Sequence, residues 1–232
     1  MKPPSAAKGL RVAAVGILVA AYPFLVASGL DHLSARSLGA ALLALLVAAA
    51  LASGSHVGRV VPLLLRRFGL LVAVTVAAAA TNHPVALKLL PTLTSLWLLG
   101  TFAASLRGGG SIVGQFASAM HDGFPDFLLP YCRKVTVLWC AFFAANGTVA
   151  ALLAFSEPTG VWAMYTGFVS YLLVALLAAG EYVFHKSRFR FYEDGLLDAM
   201  WRRLCPPERT ELGRRTLAWQ LARSGGAPRD PR

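Results

Sequence analysis

The sequence predicts an all-α polytopic membrane helix bundle of about six transmembrane helices, with cytoplasmic amphipathic helices. Three observations predict it. Apolar residues make up 56% of the 232 residues and charged residues only 14%, against about 25% in an ordinary soluble domain. Apolar runs approaching the roughly 20 residues needed to cross the hydrocarbon core recur along the chain. The 22 Lys and Arg, which set a formal net charge of +11, gather in a few places. A mean hydropathy of +0.59 excludes a disordered chain. Three cysteines exclude a disulfide framework.

The first run, 12–30, contains Pro23, which transmembrane helices tolerate and which is able to kink this one. Lys2, Lys8 and Arg11 before it resemble the basic region of a signal peptide. The run exceeds the roughly 7–15 apolar residues of such peptides and further runs follow, so an uncleaved first helix is expected. The second run, 38–51, is almost pure Leu, Ala and Val; the third, 68–81, is Ala-rich and short for a full crossing. The fourth, 89–106, is interrupted by Pro91 and a few hydroxyls. The fifth and sixth are 135–155 and 161–184. Residues 1–190 are thus read as the membrane region, with a cytoplasmic amphipathic loop at 107–134. A basic amphipathic cytoplasmic tail at 191–223 and a disordered Gly/Pro-rich end at 224–232 complete the chain.

Basic residues set the orientation. Twenty of the 22 fall at the N-terminus, in the second and fourth connections and in the tail; only Arg36 and Lys88 fall on the other side. Cytoplasmic segments carry the Lys/Arg excess, so both termini are expected in the cytoplasm. Cys132 and Cys205 then face a reducing compartment and Cys140 lies within the fifth span, so no structural disulfide is expected. The same topology accounts for the basic charge without nucleic-acid binding.

Small residues four apart let helices approach closely, and Gly16–Ala20, Gly147–Ala151 and Ala175–Ala179 have that spacing. Asn146 lies mid-span in the fifth helix, and its amide needs interhelical partners or a ligand. Glu181 is the only carboxylate in the expected spans, one turn from the cytoplasmic end of the sixth. Arg133 and Lys134 lie before the fifth span at the same depth, where an ion pair with Glu181 would neutralise it.

The 107–134 loop opens with Gly108–Gly110 and continues with Ile112, Val113, Phe116 and Met120 at helical spacing. No Lys-Ser/Thr pair follows the glycines, which excludes a phosphate-binding loop. His121 and Asp126 stand in the His-x4-Asp spacing of glycerolipid acyltransferases, in which the His is a general base. The other blocks of those enzymes are absent, and Gly123 and Pro125 favour a turn. No metal-ligand spacing and no Gly-x-Ser-x-Gly elbow occur, so neither a metal nor a cofactor is expected. In the tail, Leu196, Leu197, Met200, Trp201 and Leu204 form one helical face beside Arg202 and Arg203, and Pro206-Pro207 ends that helix. A second helix is predicted over 208–222. Such basic amphipathic helices bind membrane surfaces or partners.

Tyr131-Cys132-Arg133-Lys134-Val135-Thr136, then Trp139, Phe142 and Phe143, then Trp162 and Glu181-Tyr182, form a recognisable series with Phe116, His121 and Pro125 upstream. Over residues 107–190 this resembles a family of small bacterial inner-membrane proteins encoded in aryl polyene, or xanthomonadin-type, pigment clusters. His185-Lys186 stands where a cluster of Arg follows in that pattern. The resemblance implies a setting in which a cytoplasmic polyketide-type synthase works on acyl carrier proteins; it implies no reaction for this chain. The expectation is a non-catalytic inner-membrane component in contact with membrane lipids, docking synthase or acyl carrier protein through Arg133, Lys134, Glu181 and the tail arginines Arg202 and Arg203, with Asn146 as a candidate binding residue within the spans. The alternatives are a membrane-embedded acyltransferase using His121 and Asp126, or Glu181, and a transporter or flippase for the polyene lipid.

Overall fold

The computed structural model describes residues 20–52, 57–120, 124–156, 158–192 and 195–223. Among these residues every regular element is helical. The helices are α1 (20–32), α2 (Ala35–Ala52), α3 (Val57–Thr81), α4 (Pro84–Lys88), α5 (Leu90–Ser105), α6 (Ile112–Met120), α7 (Leu129–Ala154), α8 (Thr159–Met164), α9 (Ser170–Phe189), α10 (Leu196–Leu204) and α11 (Glu211–Arg223). A π-turn, Tyr165–Val169, joins α8 to α9.

Among the described residues three helical segments are long and apolar enough to cross a membrane: Pro84–Ser105, Asp126–Ala154 and Thr159–Phe189. They correspond to the fourth, fifth and sixth expected spans, each extended at one or both ends. The second and third expected spans fall on α2 and α3, which contain the apolar stretches Ala35–Ala48 and Gly69–Thr81. In α3 the helix itself is longer than its apolar part, because it also runs through Arg59, Arg66 and Arg67. Residues 12–19 of the first expected span lie outside the described residues, as do His121 and the 224–232 end.

The chain divides into two compact units, Met1–Phe116 with Tyr131–Leu172, and Ala117–Pro130 with Leu173–Arg232. In the first unit, Val26, Val74, Ala78, Leu87, Ala154, Trp162 and Ala163 form a buried core. Proline organises its centre. Pro91 has no N–H, so the carbonyl four residues back, at Leu87, loses its helical donor. The helix breaks at Leu89 into α4 and α5. The Tyr22 hydroxyl donates to the Leu87 carbonyl at 3.0 Å, and the Trp162 indole N–H donates to the Lys88 carbonyl at 3.1 Å. Two aromatic side chains from other helices thereby take up carbonyls exposed by the break.

The α1–α2 and α3–α4 connections are closed by local capping. His83 Nδ1 accepts the Val85 N–H, and Pro84 occupies the first turn of α4, where its missing N–H costs nothing. Asn82 adopts a left-handed backbone, φ 54°, and its side-chain oxygen accepts the Arg36 N–H at 2.9 Å. The Arg36 guanidinium donates to the Ala79 carbonyl at 3.1 Å, near the C-terminus of α3, where a cation also complements the helix dipole.

Close helix approach occurs at one expected small-residue position and at others outside the expected set, Gly39 among them. Gly147 is buried against Ser95 of α5. Ala175 and Ala179 are exposed, and Gly16 is outside the described residues. Gly39 of α2 meets α3 instead: a Cβ there would stand 2.8 Å from the Thr75 carbonyl oxygen and 3.0 Å from the Ala79 nitrogen. Backbone atoms cannot swing aside, so Gly39→Ala should destabilise by about 1–3 kcal/mol, as overpacking does. Gly100→Ala in α5, where a Cβ meets nothing within 4 Å, should be neutral or stabilise by up to about 1 kcal/mol. Unfolding of the two variants in detergent by denaturant titration measures both.

Candidate functional site

Asn146 is the polar centre of the first unit. It sits midway along α7 and is 9% exposed. Its Nδ2 donates to Ser95 Oγ of α5 at 3.2 Å. Its Oδ1 accepts from Tyr165 OH at 3.1 Å and from Ser170 Oγ at 2.9 Å. The π-turn explains how both reach one oxygen. In an α-helix, residues five apart project roughly 140° from each other. The wider turn, closed by the Ser170 N–H on the Tyr165 carbonyl, brings them back toward one face. One amide thus ties α5, α7 and the α8–α9 segment together, which is the interhelical role expected for a polar residue at this depth.

Thr92 lies one turn before Ser95 on α5. Its hydroxyl is buried and has no hydrogen-bond partner. A helical threonine normally donates to the carbonyl four residues back, as Thr94 does to Leu90 and Thr136 does to Cys132. For Thr92 that carbonyl is Lys88, at the break, where Trp162 already donates. Lys88 itself is 1% exposed, although the sequence places its charge in an outer loop. Phe102, Trp139, Phe142 and Phe143 stack beside the cluster with ring centroids 5.2–6.4 Å apart, so these residues of the family-like block pack α5 on α7.

Arg133 is exposed and is engaged by backbone: its guanidinium donates to the Leu106 carbonyl at 3.0 Å and the Gly110 carbonyl at 3.3 Å. It thereby clamps the glycine break, where Gly108 and Gly109 take positive φ. Lys134 is exposed. Asp126 is exposed and opens a short 3-10 turn ahead of α7; its expected partner His121 is outside the described residues. Glu181 is half-buried on α9. None of the three cysteines forms a disulfide, and among the described residues no three His, Cys, Asp or Glu cluster as a metal site would require.

The second unit contains an ion pair that the sequence did not reveal. Lys186, in the last turn of α9, meets Asp198 of α10 at 2.7 Å, and both side chains are about nine-tenths buried. The ammonium also donates to the Phe191 carbonyl at 2.8 Å and lies 5.7 Å from the ring centres of Tyr182 and Tyr192. Tyr192 continues the network: its hydroxyl donates to the Cys205 carbonyl at 2.7 Å, and its own carbonyl accepts Gln220 Nε2 of α11 at 2.8 Å. Burial pushes the Tyr192 phenol above its ordinary range, so it stays a protonated donor at neutral pH. Arg190, at φ 54°, reverses the chain after α9 and donates to the Pro206 carbonyl. Arg202 and Arg203 on α10, and Arg214 and Arg215 on α11, are exposed.

Comparison with known proteins finds no match: no family model, no curated protein and no solved structure resembles the chain.

The contacts that the sequence did not announce left partial signals in it. The position four before Pro91 marks a carbonyl in need of a donor, and Tyr22 and Trp162 are aromatics that carry one. Nothing in the sequence pairs Lys186 with Asp198 beyond their both lying near the end of α9.

These geometries set the cost of removing each polar group. Thr92→Val removes an unpartnered hydroxyl at nearly constant volume, so it should be neutral or stabilise by up to about 1 kcal/mol, whereas Asn146→Leu should destabilise by about 1–2 kcal/mol. Denaturant unfolding in micelles compares the pair. Asp198→Asn should strand a buried ammonium and loosen the tail at a cost of about 3–5 kcal/mol, and Lys186→Met with Asp198→Leu should recover most of it. Hydrogen exchange over 196–223 reads the loosening directly.

Proposed function

We propose that this chain is a non-catalytic inner-membrane component that docks an acidic cytoplasmic protein at the membrane. Six spans with both termini in the cytoplasm complete that reading, because that arrangement accounts for 20 of the 22 basic residues. The observation that carries it is the tail. It is an ordered pair of helices, held to the end of the last candidate span by the buried Lys186–Asp198 pair, and it presents Arg202, Arg214 and Arg215 outward. A preorganised basic surface steers and orients an acidic partner with less ordering cost than a loose basic tail.

The resemblance of residues 107–190 to proteins of aryl polyene clusters supplies the class of partner: an acyl carrier protein or a polyketide-type synthase subunit. Deleting the gene should abolish or truncate the polyene pigment. Arg214→Glu with Arg215→Glu should weaken co-purification of the carrier protein while the protein remains in the membrane fraction. Lys134→Glu tests the first unit, since Arg133 also serves the backbone there. Full pigment in the deletion strain contradicts the proposal.

A transport reading draws on a different observation. The α4–α5 break and the π-turn interrupt two candidate spans beside the Asn146 cluster, and interrupted helices line the sites of many transporters. Finished product accumulating in the inner membrane of the deletion strain would favour transport over synthesis.

A further inference from the structure

The amphipathic helix α10 is inverted with respect to the protein. Its acidic residue, Asp198, points inward and is buried on Lys186. Three of its apolar residues point outward: Leu197 and Leu204 are each 65% exposed and Met200 is 49% exposed. The positions 197, 200 and 204 are three and four apart, so they form one continuous stripe along the helix. Arg203 is exposed on one flank of that stripe, and Arg202 is exposed on the far side, next to Asp198 around the helix. A helix facing water would bury its leucines and expose its aspartate.

The place of α10 in the chain identifies what covers the stripe. The last candidate span ends at Phe189, and α10 begins at Leu196. Its first turn is bonded, through Asp198, to Lys186 on the last turn of that span. The helix is therefore held at the level where the span leaves the hydrocarbon, and the apolar phase nearest its leucines is the bilayer.

We propose that α10 is an interfacial helix, with Leu197, Met200 and Leu204 seated among the acyl chains of the adjoining leaflet and Arg203 on an anionic headgroup. The helix suits that role in both respects. Apolar burial and electrostatic attraction to anionic lipid act together in such helices, and neither requires a protein partner. Lys186–Asp198 then acts as the hinge pin that fixes the helix depth, since it removes the only acidic side chain of α10 from the lipid side. This inference rests on α9 crossing the membrane and not on the docking role. It leaves Arg202, Arg214 and Arg215 for a protein partner and assigns Arg203 to lipid.

The experiment uses the full chain in nanodiscs made with a phospholipid carrying a photoreactive acyl chain, in phosphatidylcholine alone or mixed with phosphatidylglycerol. Mass spectrometry after irradiation should find label on Leu197, Met200 and Leu204, and none on Arg214 or Arg215. Labelling of α10 should rise several-fold with phosphatidylglycerol, and Arg203→Ala should remove that rise while Arg202→Ala leaves it. Leu197→Glu with Leu204→Glu should lose label on α10 while the spans keep theirs. Unlabelled α10 in the wild-type chain, with labelled spans, overturns the proposal and leaves a protein or a second copy as the cover. Equal labelling in the two lipid mixtures overturns the assignment of Arg203.

Discussion

A missing hydrogen at Pro91 governs the arrangement of the first unit. Backbone groups at membrane depth have no water to turn to, so an open carbonyl must find a donor within the protein. The helix breaks at Leu89, and the carbonyls of Leu87 and Lys88 become acceptors for Tyr22 and Trp162. Each bond fixes the depth and rotation of another helix against the break. The buried core of Val26, Leu87, Ala154, Trp162 and Ala163 surrounds this junction. The unpartnered hydroxyl of Thr92 is its by-product, because the acceptor Thr92 would normally use is occupied.

The second unit meets a related constraint with charge. An ammonium and a carboxylate are buried together only when geometry and additional hydrogen bonds offset their desolvation. Lys186 has both carboxylate oxygens of Asp198, a backbone carbonyl and two aromatic rings around it. This pair does not contribute much as a source of net stability by itself. Its consequence is positional: α10 is held with Asp198 in and with Leu197, Met200 and Leu204 out.

The helical class was legible because an uncharged apolar run near 20 residues is longer than a soluble helix needs and matches the thickness of the hydrocarbon core. The fourth to sixth spans were legible for the same reason, although Pro84 and the 3-10 turn at Asp126 extend the segments beyond the apolar runs. The third span is the harder one to read because α3 runs through Arg59, Arg66 and Arg67 before its apolar stretch. Asn146 was legible as a polar residue needing partners. Its partners were not, since the π-turn that turns Tyr165 and Ser170 to one side carries no sequence signature. The tail helix was legible from its period, but its direction was not. Periodicity names a face without saying what it faces, and only the burial of Asp198 does so. Lys88 and Lys186 read as loop charges in the sequence, yet both are buried.

If the Leu87 carbonyl, freed by Pro91, is the reason Tyr22 matters, the two residues must be energetically coupled. A double-mutant cycle of Tyr22→Phe and Pro91→Ala, read by reversible unfolding in micelles, measures that coupling directly. Tyr22→Phe should cost about 1 kcal/mol in the wild-type background, because it orphans a buried carbonyl. In the Pro91→Ala background the restored backbone N–H supplies that carbonyl, and the cost should fall to less than half, a coupling of roughly 0.5 kcal/mol or more. Costs that add to within about 0.3 kcal/mol would contradict this, since they would mean that the hydroxyl and the missing N–H do not share an acceptor.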